Sequence, residues 1–229
     1  MAAAKLQDRK ARIDAGRTLL EGPHLLQAAL DAGVAVDVIF ALEDTELAAT
    51  DVEVLRVAPQ VLAKLASTEH PRGPVAVFQP RPLAPGDGHA LVLWALADPG
   101  NVGTLIRTAA AFALDVVTVR GTADVWSPKV LRAAAGAHFT VGFDETETVA
   151  DLKDAGYRVI ASVASGGAWP DEIQVRGQSA LLIGNEAHGL PAEVSADADV
   201  RVSIPMPGGT ESFNAGVAGS ILAYTLFGS

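Results

Sequence analysis

Ala90 to Ala97 reads Ala-Leu-Val-Leu-Trp-Ala-Leu-Ala without a polar break and stops at Asp98-Pro99-Gly100. An apolar run this short and this continuous suits a strand buried on both faces, which a parallel sheet covered by helices provides. The rest of the chain keeps to that pattern. Asn101 to Ala113 carries Leu105, Ala109 and Phe112 on one helical face, and Asp115 to Val119 is strand-like again. Ser127-Pro128 supplies a cap and a first-turn proline for a helix reaching Ala135. Thr148 to Asp154, Tyr157 to Val163, Ala180 to Ile183 and Val200 to Ile204 continue the alternation. In the last helix Phe213, Val217 and Ile221 stand four apart, as a buried stripe would. Strands alternating with helices predict the α/β class, with a mostly parallel sheet.

Before Ala90 the pieces are shorter. Thr18 to Leu20, Val36 to Phe40, Val54 to Val57 and Val75 to Phe78 read as strands, with helices over Pro23 to Asp31 and Pro59 to Leu65. Gln79 to His89 holds three prolines and two glycines, which interrupt any regular pattern. The expected layout is therefore a small α/β domain over residues 1–80, a linker over 81–89 and a larger α/β domain over 90–229. At 229 residues, two modest cores are a reasonable expectation.

Composition narrows the chemistry. The chain has no cysteine, which removes disulfides, thiolate catalysis and cysteine-ligated zinc together. Its five histidines, His24, His70, His89, His138 and His188, show no ligand spacing, so no metal is expected. No stretch nears twenty uninterrupted apolar residues and the N-terminus lacks a signal-like core, so no membrane partner is expected and the cytoplasm is the expected location. With 17 basic against 27 acidic residues, a formal net charge of −10 argues against indiscriminate nucleic-acid binding. A focused basic surface could still act, and Lys5, Arg9, Lys10, Arg12 and Arg17 with Arg120, Lys129 and Arg132 are the candidates.

Three polar loops follow strand-like runs, where ligands of open α/β sheets bind. In the first, Gly100 and Gly103 allow close backbone approach, Asn101 can cap the helix and Arg107 projects about two turns in. In the second, Gly184 and Gly189 permit positive φ while Asn185 and Glu186 offer donors and a carboxylate. The third, Ile204-Pro-Met-Pro-Gly-Gly-Thr-Glu-Ser-Phe-Asn214, fixes an unusual bend with two prolines and two glycines. It brings Ser212 and Asn214 to a helix start where backbone amides point outward. Each loop alone also reads as an ordinary cap or turn.

Taken in order, the three loops resemble the motifs of the SpoU branch of the SPOUT RNA methyltransferases. Asp98 to Phe112 looks like the first motif, Leu182 to Leu190 the second and Ile204 to Asn214 the third, with Ser127 to Phe139 similar to the intervening segment. The front unit is similar to the family's substrate-binding domain, a fold shared with a ribosomal protein, through Leu20 to Leu26 and Ser67 to Ala76. Departures are Ala113 where glycine is common, Ala133 and Gly216 where serine is common, and Phe213 where leucine is usual. The resemblance implies a deep trefoil knot at the C-terminus, which periodicity could never suggest, and a homodimer with its active site near the interface. It implies S-adenosylmethionine as cofactor, held by Gly184, Ile204, Met206 and Phe213. It places Asn101, Arg107, Glu186, Ser212 and Asn214 at the reacting nucleotide, and it implies transfer of a methyl group to a ribose 2′-hydroxyl of RNA.

The family's general base is proposed to be the counterpart of Arg107. Lowering an arginine from about 13.8 to near 7 would cost roughly 9 kcal/mol, so a charged Arg107 clamping an RNA phosphate is the milder expectation, with Glu186 or solvent receiving the proton. The front domain favours ribosomal RNA, most readily 23S, over transfer RNA. A non-catalytic RNA-binding module is a further reading. A dehydrogenase is opposed by the lack of a Gly-x-Gly-x-x-Gly after a strand, and a serine hydrolase by the incomplete elbow around Ser165.

Overall fold

In the computed structural model, residues 3–68, 71 and 73–228 are described. Glu69, His70 and Arg72, part of the front motif Ser67 to Ala76, lie outside them, as do Met1, Ala2 and Ser229. The elements are α1 (Arg9–Ala15), β1 (Thr18–Glu21), α2 (Pro23–Asp31), β2 (Val36–Ala41), β3 (Val54–Arg56), α3 (Pro59–Leu65), β4 (Val75–Phe78), β5 (Ala90–Leu93), α4 (Pro99–Ala111) and β6 (Asp115–Val119). They continue with α5 (Pro128–Ala134), β7 (Phe143–Thr146), α6 (Val149–Asp154), β8 (Arg158–Ser162), β9 (Ser179–Ile183), α7 (Ala192–Asp197), β10 (Val200–Val202) and α8 (Ala215–Phe227). The chain divides into two compact units, Met1–Pro82 with Asp124–Thr140, and Leu83–Ala123 with Val141–Ser229.

The first unit is built on a four-stranded sheet in the order β1-β4-β2-β3. Only β2 and β3 run parallel; β4 pairs antiparallel with both β1 and β2, so this sheet is mixed. Strand alternation sorts its side chains. Leu19, Val75 and Val77 join Leu62 and Leu65 on one face, while Leu20, Ala76 and Phe78 join Leu25, Leu26 and Ala29 on the other. Asp124–Thr140, expected from the sequence with the second domain, packs here for a physical reason. Leu131 of α5 enters the second of these clusters, and Trp126 and Phe139 meet Phe78 edge-on at 6.5 and 6.0 Å.

The second unit carries six strands, all parallel, in the order β10-β8-β9-β5-β6-β7. The apolar run at Ala90 is the buried inner strand β5, but it ends at Leu93 because Ala95 adopts a left-handed φ of 54°. One face is covered through Val92, Val117, Leu152, Leu182 and Val194. On the other face α4 and α8 pack together, joined by Thr108 and Ser220 hydroxyls at 2.7 Å. A Cβ on Gly219 would stand 2.4 Å from Leu105 Cδ2 and 3.2 Å from Ile183 Cγ1, so that glycine sets how closely α8 approaches.

The expected buried stripe of α8 is a correction. Phe213 and Val217 are exposed, Val217 at 46%, and Tyr224 is 67% exposed. The buried side is Gly216, Gly219, Leu222, Ala223 and Leu226. A helix apolar all round has no face chosen by periodicity, and here small residues choose it by allowing contact. The edge strand β7 and the short α7 had no counterpart in the sequence reading, since Phe143-Asp-Glu-Thr146 is too polar to stand out.

Candidate active site

The three loops meet above the carboxyl ends of β5, β8 and β9. Asp98 caps α4, its Oδ1 accepting from the Asn101 amide at 2.9 Å, and Pro99 fills the first turn. Asn101 is buried, and its Nδ2 donates to Glu186 Oε1 at 3.0 Å. The two carboxylate oxygens of Glu186 also accept from the Ala97 and Asp98 amides, each at 3.0 Å. Burial alone would raise this carboxyl, but the hydrogen bonds from Asn101 and the backbone amides outweigh it and hold Glu186 below its ordinary value. Glu186 is thus an ionised clasp between the second loop and the start of α4.

The second loop is braced by Asn185. Its Nδ2 donates to the Ala95 carbonyl at 2.8 Å, and its Oδ1 accepts from the Ala187 and His188 amides at 3.0 and 3.3 Å. Gly189 takes a φ of 65°, as expected, but Gly184 does not lie in the left-handed region. Its need is space: a Cβ there would fall 2.4 Å from the carbonyl carbon of Gly189. In the third loop Asn214 caps α8, Oδ1 accepting from Val217 at 3.2 Å. A Cβ on Gly216 would sit 3.2 Å from both Asn101 Oδ1 and Asn214 Oδ1, so the two asparagines converge over a residue with no side chain.

Gly184, Glu186, Ile204, Met206, Ser212 and Phe213 together line a cavity of about 450 Å³. That volume lies in the roughly 300–1,000 Å³ range of small-molecule sites. Apolar Ile183, Ile204, Met206, Phe213 and Leu222 stand beside polar Ser162, Asn185 and Ser212. This mixture suits a molecule that joins a purine face to a ribose and a charged amino-acid tail. Asn101, Asn214 and Arg107 do not line it: Asn101 is bonded to the lining residue Glu186, Asn214 stands between the lining residues Phe213 and Ala215, and Arg107 is exposed on α4. Arg107 makes no hydrogen bond or ion pair among the described residues. Sequence reasoning missed Ser162, Val163, Ala164 and His188 as lining residues. The signal was available, because Tyr157 to Val163 reads as a strand and its end belongs with the other strand ends. Ser165 is an exposed residue of the loop after β8.

Of the expected basic surface, Arg12 drops out. Its guanidinium is buried and bonded to Asp124 and to the Leu6 and Gln7 carbonyls. Arg17 pairs with Asp37. No cluster among the described residues could hold a metal ion, and no helix among them is long and apolar enough to cross a membrane.

An all-parallel sheet whose strand-end loops wall a cofactor-sized cavity, in a chain that also carries a small mixed-sheet unit, is the build of a SPOUT-type methyltransferase with a substrate-binding domain. The chain belongs to the SpoU rRNA Methylase family, matched over residues 88–224, with an MRM3-like substrate binding domain over residues 1–76. It is 34% identical over 98% of its length, and 94% of the relative's, to the 23S rRNA (guanosine(2553)-2′-O)-methyltransferase RlmP of Bacillus subtilis. Its fold superposes with a TM-score of 0.84 on the SpoU methyltransferase AviRb of Streptomyces viridochromogenes in complex with AdoMet, at 26% identity over 98% of this chain and 94% of that one. A structure described for 2-OH methylation of C/U34 on tRNA matches 61% of this chain and 94% of its own, at 35% identity and a TM-score of 0.55. The protein is an S-adenosylmethionine-dependent RNA ribose 2′-O-methyltransferase.

Proposed function

We propose that the substrate is ribosomal RNA of the large subunit, methylated in the cytoplasm by a homodimer with a knotted C-terminal domain. The observation that carries this is the pairing of the cofactor cavity with a complete substrate-binding unit. The relative named for 23S rRNA is similar along both units, while the tRNA-methylating structure aligns with only 61% of the chain. The exposed apolar side of α8, Val217 and Tyr224 with Phe112, just past α4, at 6.1 Å from the Tyr224 ring, supports the dimer. The connection from edge strand β10 back to α8, packed on α4, is consistent with the knot.

Bound S-adenosylmethionine supplies an electrophilic methyl group on a sulfonium. Gly184, Ile204, Met206 and Phe213 hold it, and the loops fix the direction from which a ribose oxygen approaches. With it bound, the chemistry supplied would be displacement at that methyl carbon by the ribose oxygen, with the sulfur as leaving group and the hydroxyl proton passing to solvent. Glu186 is a poor acceptor for that proton, since three donors already hold its carboxylate ionised. Its role is to fix Asn101, which with Ser212 and Asn214 orients the nucleotide. Arg107 remains charged and clamps a phosphate.

The experiment is methyl transfer from labelled S-adenosylmethionine to deproteinised 23S, 16S and transfer RNA in parallel. Label confined to 23S RNA is expected, and label confined to transfer RNA would overturn the substrate assignment.

A further inference from the structure

In the first unit a carboxylate is buried where an apolar side chain would pack more cheaply. Glu21 closes β1 with its side chain 6% exposed; Oε1 accepts from the Ser67 amide at 2.6 Å and Oε2 from Arg132 Nη1 at 3.2 Å. A buried charge is costly unless paired, and this one is spent on an arginine that is itself 42% exposed. Arg132 Nη1 also donates to the Ser67 hydroxyl, so one edge of the guanidinium is fixed by two partners. Its Nε and Nη2 make no hydrogen bond among the described residues.

Those donors belong to a residue lining a cavity of about 250 Å³ whose walls include Gly22, Gly73, Pro74 and Val75. Two of its lining residues are glycines. Gly22 has a φ of +98°, and a Cβ on Gly73 would stand 3.0 Å from Pro23 Cδ and 3.2 Å from Gly22 Cα. A Cβ on Gly22 would meet nothing within 4 Å, so the open space lies on that side. Arg132 is ion-paired as Arg12 and Arg17 are, but only through Nη1, which fixes its position and leaves the Nε and Nη2 edge unused among the described residues.

We propose that Arg132 is a phosphate clamp for the RNA backbone and that Glu21 is its positioning residue. Two donors left in one plane match two oxygens of a phosphodiester, the geometry in which arginine outperforms lysine. Arg132 comes from the segment between β6 and β7, yet it is fixed within the substrate-binding unit. The inference rests on the RNA-methyltransferase reading.

The test uses full-length protein with deproteinised ribosomal RNA as probe, following initial methylation rates against RNA concentration at several salt concentrations and S-adenosylmethionine affinity by calorimetry. Arg132→Ala should raise KM for RNA about tenfold or more and reduce the log–log salt slope by about one, with kcat and cofactor affinity unchanged. Because that variant leaves Glu21 unpaired, the double variant Glu21→Gln with Arg132→Gln is its control and should show the same change in KM. Arg132→Lys should recover only part of it. Wild-type KM and salt slope in both the alanine and the double variant would overturn the proposal. So would a parallel loss of cofactor affinity in both, which would make the pair structural. A wild-type protein that binds S-adenosylmethionine but methylates no RNA would overturn the underlying reading as well.

Discussion

Glu186 shows how a residue can be recognisable in sequence while its task is not. Its place beside a strand end marks it as functional, but only the three donors around it reveal a clasp rather than a proton acceptor. Glu186→Gln would turn one acceptor into an NH₂ facing an amide N–H, and a charged hydrogen bond contributes about 1.5–3 kcal/mol. The expected result is a kcat lower by about tenfold or more, with S-adenosylmethionine still bound, measured by single-turnover methylation and calorimetry. The clasp needs the ionised form, so with a depressed pKa it should persist as pH falls through the ordinary carboxylate range near 4.3 and be lost only below it. Arg107→Ala should lower methylation even at saturating RNA; an unchanged single-turnover rate would remove Arg107 from the mechanism. Ala113 was legible as a departure from the family, and the structure gives its consequence: it sits just past α4 at a φ of 52°. Left-handed backbone costs an L residue roughly 1–2 kcal/mol. Ala113→Gly should therefore raise the thermal midpoint by about 2–4 °C, while a lower midpoint would show that the turn is not strained.

At the level of elements, strand and helix cores could be read from periodicity because burial on the second sheet is two-sided. The matches at β4, β6, α2 and α3 agree to the residue. What periodicity could not supply was partnership. Nothing in Ser127 to Phe139 says that α5 packs on the β1-β4-β2-β3 sheet, because an amphipathic helix does not encode which apolar face it meets. Likewise the buried side of α8 is set by Gly216 and Gly219, whose information is an absence of side chain. Gly219→Ala would force a methyl against fully buried Leu105, and overpacking of this kind costs about 1–3 kcal/mol, readable as a lower denaturant midpoint. His138 gives the first unit a pH dependence. It is buried with Nε2 at 2.7 Å from the Val125 carbonyl, and desolvation lowers its pKa to about 4 from an unfolded value of 6.5. Between those values the unfolded chain binds a proton that the folded one refuses, so stability is full above pH 6.5 and falls as pH drops toward 4. At pH 5 the loss should be about 2 kcal/mol, and His138→Gln should flatten the dependence in urea titrations.

For the whole molecule, the acidic balance and the RNA substrate are compatible because charge is placed rather than abundant. Three of the arginines that look available in sequence, Arg12, Arg17 and Arg132, are held in ion pairs, which no count of basic residues could reveal. The reaction was legible because three loops resemble, in order, the motifs of a known family; the RNA address was not, since it depends on surface shape that no local pattern carries. The proposed homodimer belongs to this scale too: if it forms through the exposed side of α8, Val217→Asp should shift the sedimentation coefficient from dimer to monomer. The most direct test is nucleoside mass spectrometry of RNA methylated by the purified protein with S-adenosylmethionine. A 2′-O-methylated nucleoside arising in ribosomal RNA is the predicted result, and a methyl group on a base, or none on any RNA, would contradict it.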